Sequence, residues 1–360
     1  MIVISYGAEL VRNTYEALAA SDINLYLDAG MKVALKPNLV VPCPASDGAT
    51  THPELVEGVI LFLRDFGVKD IKIMESSWVG DSTIRAFKYC GYDELSEKLN
   101  VPLVDLKSDS YRQYKSAEYD IAVCDEAILT DFLINLPVLK AHCQTKLTCC
   151  LKNLKGCIPD KEKRRFHTLG IHRPVAALNA IIKTGYCVVD GICGDLSFEE
   201  GGNPVDSKRI ITGRDPLLID SYCAELIGYS PNEIEYIIHA AEFGIGELFS
   251  DSTKLVELNA DAKPKLNLKR DRIADKYAAL IDENAACSAC YSALVYALHR
   301  GNMDRPHKSG PYSKIHIGQG FSGKVGDGLG IGSCTSDFCR YVPGCPPKAT
   351  EIIKALNFSI

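Results

Sequence analysis

Two periods alternate along the chain. MKVALKPNLV is a short apolar run ending in polar residues, and VKDIKIMES alternates apolar and polar positions; both predict strands. Between them, HPELVEGVILFLRDFG sets Leu55, Val59, Phe62, Leu63 and Phe66 on one face at helical spacing, with Gly67 as the stop. STIRAFKYCG predicts another helix and VPLVDL a short strand, while DFLINLPVL, YCVVDGICG and RIITGRDP predict further strand-to-loop segments. Strands alternating with helices predict an α/β fold, mainly a parallel sheet with helices on both faces. In such sheets functional residues gather at the carboxyl ends of the strands.

The pattern changes towards the C-terminus. Between about Ala260 and Asp275 the chain is polar and lysine-rich, an expected exposed connection, and a helix from about Ile273 leads into CSACYSALVYALHR. GQGFSGKVGDGLGIGSC then follows, glycine-dense and without regular periodicity. The expected division is an α/β domain over residues 1–260 and, over 261–360, a helical linker with a small irregular cysteine- and glycine-rich region. GQGFSG and GDGLGIG open no periodic helix, so neither reads as a nucleotide loop.

Composition narrows the classes. With 360 residues, 46% of them hydrophobic, the chain can bury one large core or two modest ones. A net charge of −6 argues against nonspecific nucleic-acid binding and leaves any anion site to a local basic pocket. No apolar run reaches the roughly 18–20 residues that span a bilayer, so no membrane partner is expected. The first residues, MIVISYGAEL, lack the flanks of an export signal, and the expected location is the cytoplasm. Fifteen cysteines in a reducing compartment are then core hydrophobes or metal ligands. Cys90, Cys124, Cys187, Cys193 and Cys223 lie in strand-like or helix-like stretches and read as core.

The tail holds Cys287-x-x-Cys290, Cys334, Cys339 and Cys345. Four thiolates suit tetrahedral zinc or a four-iron, four-sulfur cluster. Glycines that admit bulky sulfides, and the proline after Cys345, favour the cluster over zinc, which more often uses two paired CxxC knuckles. Pro346 and Pro347 also suit the first turn of a closing helix. GSCTSDFCRYVPGCPP resembles the cluster-binding segment of the small subunit of nickel–iron hydrogenases and its counterpart in respiratory complex I. The expected ligands are Cys287, Cys290, Cys334 and Cys345 of a [4Fe-4S] cluster, with Cys339 as the alternative to Cys334.

A second constellation is INLPVLKAHCQTKLTCCLKNLKG. Lys140, His142, Lys146, Lys152, Asn153 and Lys155 follow one another with no acid between Asp131 and Asp160. Lysines interleaved with apolar residues point partly inward, where they serve as anion hooks or tuned bases. Cys143, Cys149, Cys150 and Cys157 lie in the same segment, but adjacent cysteines on a regular element point apart, so no second metal site is expected there.

KPNLV, HPELVEGVI, the basic segment, VVDGICG and ITGRDPLLIDSYCAELIG, in this order, resemble the domain-of-unknown-function 362 family, whose members are often iron–sulfur proteins. That resemblance implies polar site positions at Lys36, Asn38, Lys140, His142, Lys146, Lys152, Asn153, His167, Asp190 and Asp215. His142, Lys140 and His167 are the acid–base candidates, and Lys36, Asn38, Lys146, Lys152, Asn153, Asp190 and Asp215 the substrate-binding ones; Asp215-Pro216 reads equally as a turn initiator. The expected function is an iron–sulfur oxidoreductase or cluster-dependent enzyme acting on a small anionic molecule. One alternative is a non-catalytic electron-transfer or maturation partner of another redox protein. A further one is a racemase- or isomerase-like acid–base enzyme with a structural metal.

Overall fold

The computed structural model describes residues 1–268, 273–301 and 314–357. It divides into two units, Met1–Lys163 with His172–Arg270, and Arg164–Ile171 with Asp271–Ile360. Residues 269–272 of the lysine-rich connection lie outside the described residues.

The first unit is built on an eight-stranded sheet. Its strands are β1 (Ile2–Tyr6), β2 (Lys32–Pro37), β3 (Asp70–Glu75), β4 (Leu103–Asp105), β5 (Phe132–Leu136), β6 (Thr184–Gly191), β7 (Arg209–Gly213) and β8 (Leu255–Leu258). They run in the spatial order β8-β1-β7-β6-β5-β2-β3-β4. Every pairing is parallel except the two made by β7, with β1 and with β6. The fold is α/β with a mostly parallel sheet, as the alternation of periods predicts. β7 is reversed because no crossover helix separates it from β6, and a parallel neighbour needs such a crossover. β1, β5 and β7 are buried at every position, as strands covered on both faces are.

The helix Pro53–Phe66 buries Leu55, Val59, Phe62 and Leu63 in a core shared with Leu35, Ile73, Ile134 and Val188. Each such side chain contributes about 1.5–3 kcal/mol. Pro53 occupies the first turn, and Gly67 closes the helix at φ +106°, returning its N–H to Arg64 O. The strand order turns back between β2 and β5, which opens a crevice beyond their carboxyl ends. There Lys36 pairs with Asn135 and Pro37 with Leu136.

The second unit contains a four-stranded parallel sheet, β9 (Ile281–Glu283), β10 (Ile315–Ile317), β11 (Leu329–Ile331) and β12 (Arg340–Val342), in that order. The expected irregular tail is therefore organised by strands, each three residues long and too short to register as a period. Among the described residues the helices Ile273–Tyr277, Ser288–Arg300 and Ala349–Asn357 belong to the same unit. The closing helix begins at Ala349, so Pro346 and Pro347 precede it instead of forming its first turn. Among the described residues no helix is long and apolar enough to cross a membrane.

Candidate functional site

The crevice floor is a continuous polar network. Lys36 Nζ, wholly buried at the end of β2, lies 2.9 Å from both oxygens of Glu75 at the end of β3, and it also donates to Pro37 O at 2.9 Å. Glu75 accepts the backbone N–H groups of Leu39 and Ser76 as well, at 3.0 and 2.7 Å. Asn153 accepts from Asn38 Nδ2 at 3.1 Å and donates to Asn135 Oδ1 at 2.8 Å. Every member is satisfied, which keeps a buried polar layer rigid.

Above this floor the ionisable groups are perturbed. Lys140 Nζ donates to Ala49 O at 2.7 Å and Glu199 O at 2.9 Å, and lies 3.5 Å from Asn38 Oδ1. Complete burial, partly offset by Glu199, pulls its ammonium down to about 8. His142 Nδ1 accepts from the N–H groups of Gln144 and Thr145, so its proton belongs on Nε2, which lies 3.4 Å from Glu199 Oε1. Burial raises the Glu199 carboxyl, although Lys152 and Lys140 oppose the shift. Its Oε2 accepts Cys143 N–H at 2.9 Å, while Oε1 has no hydrogen-bond partner among the described residues. Half-buried Lys152 lies 3.4 Å from Thr148 Oγ1, and desolvation, joined by repulsion from Lys155, holds its ammonium well below the usual value. One crevice thus holds two ammonium groups that release a proton more readily than usual, a histidine and a carboxyl that favours its proton, an arrangement suited to moving protons.

Of the expected site residues, Lys36, Asn38, Lys140, His142, Lys152 and Asn153 come together here. Lys146 turns away: at φ +65° in its hairpin turn, its ammonium reaches Glu233 O at 2.9 Å. Asp215 is a helix cap, accepting from Leu217 and Leu218 at one oxygen and from Glu247 N–H at the other. The turn-initiator reading describes it. Asp190 holds His52, whose ring Nδ1 lies 2.8 Å and backbone N 2.7 Å from Asp190 Oδ2. Burial lowers the His52 imidazolium pKa, but Asp190 outweighs this and lifts it to about 11. His167 belongs to the second unit, whereas the crevice residues belong to the first.

Behind the sheet's carboxyl ends lies a buried thiol group. Cys149 Sγ is 3.9 Å from Cys150 Sγ, and one ligand atom each from Cys149, Cys150 and Asp220 fits within a mutual 4.8 Å, a group that could hold a metal ion. Cys223 also lies within hydrogen-bonding reach of the Cys149 sulfur, and Cys187 within that of Cys150, all four being free thiols. The sequence argument that adjacent cysteines diverge fails because Cys149, at φ −154° and ψ −143°, stands outside the helix that Cys150 begins.

In the second unit Cys287 caps the helix that carries Cys290. Cys290 Sγ stands 3.8 Å from where a Cβ on Gly332 would lie, and Gly344 O stands 3.5 Å from the same point. Ser333 N–H donates to Gly344 O at 2.9 Å, which sets the backbone next to Cys334 against that next to Cys345. Cys287 Sγ accepts from Gln319 Nε2 at 3.6 Å. Exposed Cys339 faces Asp327 Oδ1 at 3.9 Å.

The family model of a domain of unknown function, DUF362, matches residues 33–225. The chain belongs to the DUF362 family. A thylakoid-associated protein of Synechocystis is 32% identical to it over 242 residues, covering 63% of this chain and 73% of the relative. Among solved structures, the lactate racemase apoprotein of Thermoanaerobacterium thermosaccharolyticum superposes with a TM-score of 0.43 at 12% identity. That alignment covers 62% of this chain and 57% of the other, so the chain spans less than two thirds of it.

The DUF362 match contains the whole crevice and ends before the tail cysteines. It also contains the polar residues that sequence reasoning missed: His52, Glu75, Glu199 and Asp220. Glu75 had a signal, an acid closing an apolar strand as Lys36 nearly closes its neighbour. Glu199, in the loop between β6 and β7, had none.

Proposed function

We propose that this DUF362 protein is an iron–sulfur oxidoreductase acting on a small anionic molecule. The tail would hold a [4Fe-4S] cluster through Cys287, Cys290, Cys334 and Cys345. The observation that carries this reading is the meeting of three chain segments at Gly332, with Cys290 Sγ on one side and the backbone next to Cys334 and Cys345 on another. Gly332 and Gly344 adopt φ +89° and +130°, which lets backbone N–H groups approach inorganic sulfide without a Cβ between. Cys339 fits less well as a ligand, because the Asp327 carboxylate beside it repels a negatively charged cluster. Once bound, the cluster would supply one-electron transfer.

The chain's own part is proton handling and anion binding. Half-buried Lys152 is the cation best placed to meet a substrate carboxylate or phosphate. Lys140 and His142 would exchange protons with the bound molecule, with the His142 ring held at Nδ1 by the Gln144 and Thr145 N–H groups and its Nε2 facing Glu199. Lys36 is not an anion hook in this reading, since Glu75 already neutralises it. A second reading, a proton-transfer enzyme that uses no electron carrier, draws on the perturbed Lys140, Lys152 and Glu199 alone.

Anaerobic purification tests the first reading. The expected result is about four iron and four acid-labile sulfide per chain, with a paramagnetic signal on reduction. Cys345→Ser abolishes both, and Lys140→Met leaves them intact. Oxygen-protected protein free of iron and sulfide removes the cluster and leaves the second reading.

A further inference from the structure

Beyond the crevice, the end of β6 brings a carboxylate, an imidazole and a thiol into line. Buried Asp190 accepts both the backbone N–H and the ring Nδ1–H of His52 at one oxygen, and Ile192 N–H at the other, at 3.1 Å. The backbone bond fixes the residue and the ring bond fixes the imidazole. With Nδ1–H committed to Asp190, the other ring nitrogen faces Cys193: Nε2 lies 3.7 Å from Sγ. The same sulfur lies 3.3 Å from Ala45 O.

Two glycines hold this geometry. A Cβ on Gly48 would stand 2.6 Å from Cys193 O and from Asp195 N, and one on Gly194 would stand 1.8 Å from Leu139 O. The loop carrying His52 therefore packs backbone to backbone on the loop carrying Cys193. Cys193 is half-buried, not sealed in the core, and His52 lines a cavity of about 630 Å3 with Glu9, Arg12, Tyr15 and Glu54. A cysteine that only fills space needs no imidazole aimed at it, and still less a carboxylate orienting that imidazole.

We propose that Cys193 is a nucleophilic cysteine towards carbon electrophiles, reacting as a thiolate stabilised by the His52 imidazolium, with Asp190 as the positioning residue. In the step, the S–H bond breaks with its proton released to water, and the His52 Nε2–H facing the sulfur stabilises the thiolate that remains. The freed sulfur electron pair forms the S–C bond, and the leaving group departs with the electrons of its own bond to carbon. With iodoacetamide the products are the carbamidomethyl thioether, iodide and the proton released to water, and His52 stays protonated throughout. This chemistry rests on residues outside the lysine crevice and the tail, so it stands or falls separately from the proposed function.

The test is iodoacetamide labelling of the full chain at neutral pH, purified without oxygen and followed at each cysteine by peptide mass spectrometry. Exposed Cys339 is the reference for an ordinary thiol, and buried Cys90 and Cys124 report folding by staying unlabelled. Cys193 should react at least tenfold faster than Cys339 despite its lower exposure. His52→Gln and Asp190→Asn should each slow Cys193 at least tenfold and leave Cys339 unchanged. A Cys193 no faster than Cys339 in the unaltered protein overturns the proposal, whatever the variants do. So does a folded His52→Gln protein that keeps the fast rate.

Discussion

Lys36 and Glu75 form a buried ion pair across neighbouring strands, Nζ 2.9 Å from both carboxylate oxygens, with side-chain exposures of 1% and 4%. A pair this deep is hard to replace one member at a time, because the survivor keeps its charge without a partner. Glu75→Ala should lose about 3–5 kcal/mol of stability, read as a lower midpoint in urea unfolding. Lys36→Met combined with Glu75→Leu should recover part of that loss. If Glu75→Ala unfolds like the parent, the pair is not the keystone of the crevice floor.

How far this floor was legible beforehand depended on contrast with its surroundings. Lys36 and Asn38 stand out because they close an apolar strand, and Lys140, His142, Lys152 and Asn153 because no acid interrupts them. The partners were harder to see. Glu199 lies in a loop with no period, and His52 reads as no more than the residue before a helix. The strands themselves were legible from their apolar or alternating runs. The reversal of β7 was not, since direction depends on the connection and not on the strand. The tail sheet stayed hidden for want of length, and the Cys149–Cys150 approach for want of a backbone angle no sequence displays.

Two shifted groups should oppose each other in alkali. Lys140 titrates near 8 in the fold against about 10.5 unfolded, so between these values the unfolded chain binds the extra proton. Stability from this group therefore rises with pH across that window, by on the order of 3 kcal/mol at most. His52 has the opposite sign: its folded value near 11 lies above the unfolded 6.5, so its contribution is present at low pH and declines through the same window. The parent protein should then show a shallow profile from pH 8 to 10.5. Lys140→Met should unmask a fall in stability with pH, and His52→Gln a rise. Parallel urea-unfolding profiles for all three proteins would show that neither group is shifted.

The Cys149–Cys150–Asp220 group should take up a tetrahedral cation. Ligands about 2.3 Å from zinc stand about 3.8 Å apart at the corners of a tetrahedron, and the two sulfurs are 3.9 Å apart. Cobalt(II) is the useful probe, since thiolate charge-transfer and tetrahedral ligand-field bands report its coordination directly. Chain refolded with cobalt should show both bands, and Cys149→Ser with Cys150→Ser should remove them. Bands that survive in the double variant would assign the cation to other thiols.

Cys334 and Cys339 offer a sharper contrast in the tail. Both lie between β11 and the end of the chain, and spacing alone does not choose between them. For the proposed cluster the geometry favours Cys334: the N–H beside it is bonded to Gly344 O, next to Cys345, whereas Cys339 is exposed and faces a carboxylate. A thiolate bound to an anionic cluster gains nothing from a neighbouring negative charge. Cys334→Ser should therefore cut iron and acid-labile sulfide well below the parent content, while Cys339→Ser should leave both unchanged. Replacing Asp327 with Asn should not rescue Cys334→Ser, because Cys339 would still need its backbone moved to the Gly344 side. Iron retained in Cys334→Ser but lost in Cys339→Ser would reverse the assignment and would require the loop after β11 to be rebuilt around Cys339.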